Sequence, residues 1–197
     1  MARHAKTTSA RVRTGSNQLR IIGGQWRSRR LTFPDAPGLR PTPDRVRETL
    51  YNWLAAHISG AHLLDCFAGS GALFLEGLSR GAVSGIALEL DRHAVTSLRS
   101  NLQLLAASQA EVVHTDSLHW LSQPASRQFD IVLLDPPFHQ DLLQRCCQLV
   151  QDQGWLSPGA LIYTESERPP STLGLPTHWQ LHREKHSGQV YYALWKT

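Results

Sequence analysis

Leu63-Leu64-Asp65-Cys66-Phe67-Ala68-Gly69-Ser70-Gly71 decides how the chain folds. The leucines and the acidic residue read as a short buried strand, and Gly69-x-Gly71 as a turn. In the following Ala72-Leu73-Phe74-Leu75-Glu76-Gly77-Leu78, apolar residues recur at helical spacing. Strand, glycine turn and helix in that order make the first unit of an open α/β sheet, which binds ligands beyond the carboxyl ends of its strands. The glycines let the backbone turn sharply and approach a ligand closely. The free amides at the helix start then face that ligand.

A dinucleotide fingerprint would need a third small residue, G-x-G-x-x-G/A, and Phe74 takes that place. Asp65 would also sit badly beside phosphates. An acidic strand end suits a cationic or hydroxyl-rich ligand, and S-adenosylmethionine carries both an ammonium and a sulfonium. On this stretch alone a methyltransferase is the leading reading. A dinucleotide enzyme and an α/β core without ligand stay open.

Downstream, Ser84–Glu89 reads as the second strand. Glu89 lies twenty residues past Gly69, a spacing at which a carboxylate can accept both hydrogen bonds of a ribose diol. A helix follows from Asp91 to about residue 107, then a strand over Glu111–His114. Asp116 can cap the next helix, accept from an adenine amino group, or both. Phe129–Leu134 is apolar enough for a central strand and runs into Asp135-Pro136-Pro137-Phe138. Proline holds the preceding residue extended and has no N–H, so the carbonyls of Asp135 and Pro136 stay free as acceptors. A carboxylate, fixed carbonyls and an aromatic ring are thereby placed in the ligand crevice. A helix over Asp141–Gln151, a strand over Gly159–Glu165 and a terminal hairpin around Ser187-Gly188 complete the chain.

Upstream, Leu19–Ile22, Gly23-Gly24 and an extended run from Gln25 to Phe33 read as a hairpin. Its second arm, Trp26-Arg27-Ser28-Arg29-Arg30, interleaves an aromatic with arginines, which pair with phosphates and stack on bases. The plain alternative is an exposed hairpin. Residues 34–43 hold four prolines and form a loop. Thr42-Pro43 fits an N-cap followed by proline at the first helical position. Residues 1–47 carry eleven Lys/Arg against Asp35 and Asp44, net +9, whereas the remaining residues carry net −5. A basic segment on an acidic body suggests a polyanionic partner.

The 197 residues suffice for one sizeable domain with an appendage. No apolar run approaches the ~20 residues of a membrane span, and nothing argues for export. Cys66, Cys146 and Cys147 lack C-x-x-C spacing, and the ten histidines lack H-E-x-x-H spacing, so no metal site is expected. A cytoplasmic chain with reduced thiols is the simple reading.

Gly69-x-Gly71, Glu89, Asp116 and Asp135-Pro136-Pro137-Phe138 come in the order of the S-adenosylmethionine-dependent amino-methyltransferases. LRIIGGQWRSRRL (19–31), LRPTPDRVRETLYNWL (39–54), LLDCFAGSGALFLEGLSRGA (63–82) and FDIVLLDPPF (129–138) resemble the RsmD family of bacterial 16S rRNA guanine-N2 methyltransferases. The resemblance covers residues 19–197. It implies a Rossmann-like α/β fold: a seven-stranded, mostly parallel sheet with helices on both faces and an antiparallel last strand, plus a small N-terminal hairpin. The implied division is a disordered basic tail (1–18), a hairpin and loop for RNA (19–42) and the methyltransferase domain (43–197).

By position, the resemblance places Asp65, Phe67, Ala68, Gly69, Ser70 and Gly71 around the methionine part of S-adenosylmethionine. Glu89 and Leu90 fall to the ribose side, Asp116 and Ser117 to the adenine, and Asp135 next to both cofactor and target. Asp135, Pro136, Pro137 and Phe138 would carry the chemistry, with S-adenosylhomocysteine as product and no metal. Arg20, Trp26, Arg27, Arg29, Arg30, Arg40 and Arg45 would bind RNA. The implied partner is 16S rRNA, within the small ribosomal subunit or an assembly intermediate, with no membrane contact and the protein a monomer. Phe74, where the family is mostly small, and the basic extension 1–18 depart from the pattern. An adenine-N6 methyltransferase acting on DNA or RNA, or a non-catalytic ribosome-assembly factor, are the alternatives.

Overall fold

A computed structural model describes residues 17–35 and 41–197 of the chain. It opens with an antiparallel pair, β1 (Asn17–Arg20) and β2 (Arg30–Phe33). Asn17 and Gln18 thus belong to a strand instead of the expected tail, and the rest of that tail lies outside the described residues. Helix α1 (Asp44–Trp53), β3 (His62–Asp65) and α2 (Ala72–Ser79) follow. Next come β4 (Ser84–Glu89), α3 (Arg92–Leu104), β5 (Ala110–His114) and α4 (Ser117–Leu121). Strand β6 (Phe129–Leu134), α5 (Leu142–Asp152), β7 (Leu156–Ser166), β8 (Gln180–Ser187) and β9 (Val190–Lys196) complete the order.

The main sheet has seven strands in the order β5-β4-β3-β6-β7-β9-β8. Strands β5 to β7 run parallel, and β9, the last in the chain, inserts antiparallel between β7 and β8. The alternation of side chains along each strand splits the core in two. Leu63, Ile131, Leu133, Leu161 and Tyr163 pack under α1, α2 and α3. Leu64, Val132, Leu134 and Ile162 pack under α4 and α5, beside Cys146 and Cys147. All three cysteines are buried and free.

Phe74, the departure noted above, is fully buried opposite Gly85 of β4. A Cβ at Gly85 would lie 2.6 Å from the Phe74 ring, so the missing side chain in the strand makes room for the large one on the helix.

The expected Gly-Gly hairpin turn is not formed. The connection spans Ile21–Arg29, and Gln25–Ser28 form a turn instead of a second arm. The cause is tertiary. The Glu76 carboxylate of α2 accepts the N–H groups of Ile22 and Gly23 at 2.9 and 2.8 Å. Ser79 holds the next stretch, its carbonyl accepting from Gln25 N–H and its hydroxyl oxygen from Trp26 N–H. Gly24 has φ +77°, and a Cβ there would lie 1.8 Å from the Ser79 carbonyl oxygen. Leu19, Ile21, Trp26, Leu31 and Phe33 all join the core shared with α1, α2 and α3. The β2 carbonyl of Thr32 accepts from Ser97 and Asn101 of α3. Hairpin and domain therefore share one core.

Helix α1 begins at Asp44, with Pro43 as its N-cap residue and no side-chain cap. Thr42 was the expected cap; its hydroxyl instead faces Asp135. Arg47 of α1 is fully buried. It bonds Asp44 at 2.6 Å, the Arg20 carbonyl at 3.0 Å and Glu76 at 3.4 Å.

Candidate active site

The five parallel strands each end at, or run within two residues into, an acidic side chain: Asp116 after β5, Glu89 on β4, Asp65 on β3, Asp135 after β6 and Glu165 on β7. Consecutive strands lie ~4.8 Å apart, so these carboxyls line one edge of the sheet. Asp65, Asp135 and Glu165 lie on adjacent strands, on the side of the sheet that faces α1 and α2.

Asp65 is buried, and its Oδ1 accepts the Phe67 N–H at 3.1 Å. That bond shapes the turn that the two glycines complete with φ +52° and +79°. Gly71 is also needed for packing, since a Cβ there would lie 2.5 Å from Leu98 of α3. Glu89 fastens the turn from the neighbouring strand. Its Oε2 accepts the Gly69 N–H and its Oε1 the Asp91 N–H, each at 2.7 Å. Each carboxylate oxygen keeps a further lone pair, so Glu89 can hold the turn and still receive two hydroxyls. Leu90 beside it is 65% exposed, an unfilled apolar surface at the same edge. Asp116 caps α4 by accepting the His119 N–H at 2.8 Å, leaving its other oxygen for a ligand. Ser117 is buried and its hydroxyl donates to the Cys66 carbonyl. What Ser117 still offers a ligand is its N–H, which lies in the first helical turn.

Asp135 sits where β6 leaves the sheet. Pro136 is buried, Pro137 exposed and Phe138 half-buried. Beyond Phe138 the backbone is strained, with φ +62° at His139 and +51° at Asp141. The His139 N–H donates to Glu167 at 3.2 Å, tying this loop to the end of β7. Pro136, Phe138, Glu165 and Glu167 line one cleft.

Burial pushes the Asp65 carboxyl up to about 8, opposed by its bond from Phe67 and helped by the charges of Asp135 and Glu89. Burial likewise lifts Asp135 to about 7, with the Thr42 hydroxyl pulling it down. Glu165 rises to about 8 through burial and then the charge of Asp135. Crowded carboxyls short of water want a cation or hydrogen-bond donors. Sulfonium, ammonium, ribose hydroxyls and an exocyclic amine are such groups, so these residues fit S-adenosylmethionine. Among the described residues no group of three or more His, Cys, Asp or Glu side chains could hold a metal ion. No described helix is long and apolar enough to cross a membrane.

The expected RNA residues are dispersed. Arg27, Arg29 and Arg30 are exposed around the Ile21–Arg29 connection. Arg20 is exposed and pairs with Asp44 at 3.2 Å. Arg45 reaches the Ser187 hydroxyl at 2.8 Å across the β8–β9 turn. Trp26 is a correction: its ring is buried in the core and cannot stack on a base, because Ser79 draws this stretch onto the body. Arg40 lies outside the described residues. Two site residues escaped the sequence reading. Glu165 could have been found as one more acidic strand end, whereas the approach of Thr42 to Asp135 left no local signal.

Solved structures place the fold. An Escherichia coli structure assigned as a methyltransferase superposes with a TM-score of 0.83 at 51% identity, covering 91% of this chain and 98% of that one. A Thermus thermophilus 16S rRNA N2 methyltransferase, solved with AdoMet and guanosine, superposes at 0.67 with 24% identity, covering 92% of this chain and 50% of that one. Fold and site together define a Rossmann-like methyltransferase. The family described as conserved hypothetical protein 95 matches residues 19–196. The small-subunit ribosomal RNA methyltransferase D of Escherichia coli is 52% identical over 93% of this chain and 92% of its own. The chain belongs to that family, the RsmD family.

Proposed function

We propose that this protein transfers a methyl group from S-adenosylmethionine to the exocyclic N2 amine of a guanine in 16S rRNA. The observation that carries the reading is Asp135-Pro136-Pro137-Phe138 at the end of central β6, flanked by the glycine turn of β3 and the acidic end of β7. Asp65 and the Phe67–Gly71 turn hold the methionine part, Glu89 and Leu90 the ribose side, and Asp116 and Ser117 the adenine. When bound, S-adenosylmethionine supplies an electrophilic methyl group on a sulfonium.

A guanine N2 amine is a poor nucleophile because its lone pair is delocalised into the ring. Asp135 and the Pro136 carbonyl accept its protons and direct the lone pair at the methyl group, a matter of positioning and electrostatics. Phe138 stacks on the base, which must be unpaired or flipped out of its helix. Methylation would release one amine proton, which Asp135 is placed to take and pass to solvent, with S-adenosylhomocysteine as the other product. The protein works as a monomer in the cytoplasm, on the small subunit or an assembly intermediate. Incubating small subunits lacking the modification with S-adenosylmethionine should yield N2-methylguanosine by nucleoside mass spectrometry. N6-methyladenosine, or transfer to naked DNA, would point to the adenine-N6 alternative.

The exposed arginines hold RNA by phosphate contact, which positions without specifying sequence. An Arg27→Ala/Arg29→Ala pair should reduce the log–log salt slope of RNA binding by about 1.4–1.8, with thermal stability unchanged because both side chains are exposed. An unchanged slope at full binding strength would remove these arginines from the RNA surface. Deleting residues 1–33 is not an equivalent test, since it strips Leu19, Ile21, Trp26, Leu31 and Phe33 from the core.

A further inference from the structure

Asp135 by itself does not choose a base. An acceptor that faces an exocyclic amine suits adenine, cytosine and guanine alike. The fold, however, sets a second carboxyl beside it. Strands β6 and β7 are parallel neighbours registered Leu133 to Tyr163 and Leu134 to Thr164, so Asp135 and Glu165 occupy the next step of the same ladder. Glu165 feels the charge of Asp135 directly. Tyr163, two residues earlier on the same face of β7, donates its hydroxyl to Glu165 Oε1 at 2.7 Å and fixes the side chain. Oε2 has no hydrogen-bond partner among the described residues. Arg47 Nε is the one sealed side-chain atom among them without a partner, so Oε2 is not sealed in the core; it lies at the strand end on the face of the sheet that carries Leu133 and Tyr163, the face of Asp135.

We infer that Glu165 selects the base: its free oxygen accepts the N1–H of guanine while Asp135 takes the neighbouring N2 amine. The assignment rests on the proposed function and deepens it. Guanine presents N1–H and N2–H₂ side by side, all donors. Adenine presents its N6 amine beside a bare N1 lone pair, and cytosine its N4 amine beside a bare N3. With the cofactor's sulfonium bound, which favours the ionised carboxylates, the paired acceptors match guanine and set a lone pair of adenine or cytosine against a carboxylate oxygen. In a desolvated site that mismatch costs more than a missing contact. The pair works by repelling wrong bases as much as by attracting the right one.

The test uses 2-aminopurine, which keeps the amine but has a bare N1. The target guanine is first located by mass spectrometry of rRNA methylated by the wild-type protein. If no N2-methylguanosine forms, the proposed function fails at that step and the assignment of Glu165 falls with it. A ligated 16S rRNA, assembled into small subunits, then carries guanine or 2-aminopurine at the target. The wild type should favour guanine in kcat/KM by at least about tenfold. Glu165→Gln keeps the shape and the Tyr163 bond, and its amide can donate to the bare N1. The preference should fall by at least about tenfold, with S-adenosylmethionine affinity changed no more than a few fold. Rates that fall by the same factor on both bases, as a merely structural Glu165 requires, overturn the assignment, as does an unchanged preference. If Glu165→Gln does not fold, Glu165→Asp draws the carboxylate back and should lower the same ratio; an unchanged ratio there is equally decisive.

Discussion

Replacing Asp135 by alanine should lower turnover by about 10²–10⁴-fold while leaving S-adenosylmethionine affinity within a few fold. The carboxylate sits at the carboxyl end of β6, where the proposed mechanism gives it the amine, and no neighbour among the described residues can replace it. Thr42 offers only a hydroxyl, and Glu165 is held through Oε1 by Tyr163, with its other oxygen assigned to the neighbouring N1–H. Glu89→Ala should show the converse profile. Losing hydrogen bonds to a charged acceptor costs about 1.5–3 kcal/mol, read by calorimetry as weaker cofactor binding, with turnover returning at saturating cofactor. An Asp135→Ala protein still working at a tenth of the wild-type rate would sink the amine-orienting role.

The pH profile follows from the same burial. In the proposed mechanism the ionised form of Asp135 accepts the amine protons, and burial lifts this carboxyl from 3.8 to about 7. Activity should therefore rise between pH 6 and 8, and bound sulfonium should move that rise to lower pH. Stability has the opposite sign. A carboxyl raised in the folded state contributes fully below its unfolded value of 3.8, and that contribution is lost as pH rises through about 7. Without cofactor the protein should unfold more easily at pH 8 than at pH 5.

Glu76→Ala should destabilise the protein by about 3–5 kcal/mol, the usual cost of breaking a buried ion pair from one side. For a chain of this size that is a fall of about 6–20 °C in Tm. Glu76 is fully buried and binds four groups: the N–H of Ile22, the N–H of Gly23, Arg47 at 3.4 Å and Arg80 at 2.7 Å. Removing it strands Arg47, whose Nε already lacks a partner among the described residues, and frees the segment leading to Trp26. Thermal unfolding reads the effect. Arg47→Met in the same chain should recover part of the loss, because no unpaired charge is then left inside. A loss under about 1 kcal/mol would mean that the cluster behaves as an exposed pair and does not anchor the hairpin.

What the sequence by itself determined lies where short-range chemistry decides conformation. Gly69-x-Gly71 after an apolar strand, Glu89 at a fixed distance beyond it, and prolines that hold Asp135 extended are each set within a few residues of chain. The order of strands and helices, and with it the edge of the sheet that carries the candidate site, was legible from those patterns. What only the tertiary structure decided lies where one segment's polar groups are satisfied by another far along the chain. Gly23-Gly24 looks like a hairpin turn until Glu76 takes the amides of Ile22 and Gly23, 54 and 53 residues away. Trp26 looks like a stacking residue until Ser79 draws it into the core, and Thr42 like a cap until Asp135 stands opposite it. Glu165 ends its strand as Asp65 and Glu89 end theirs. Its pairing with Asp135 exists only because β7 lies beside β6, and buried hydrogen-bond needs of this kind are met in three dimensions, where local pattern has no reach.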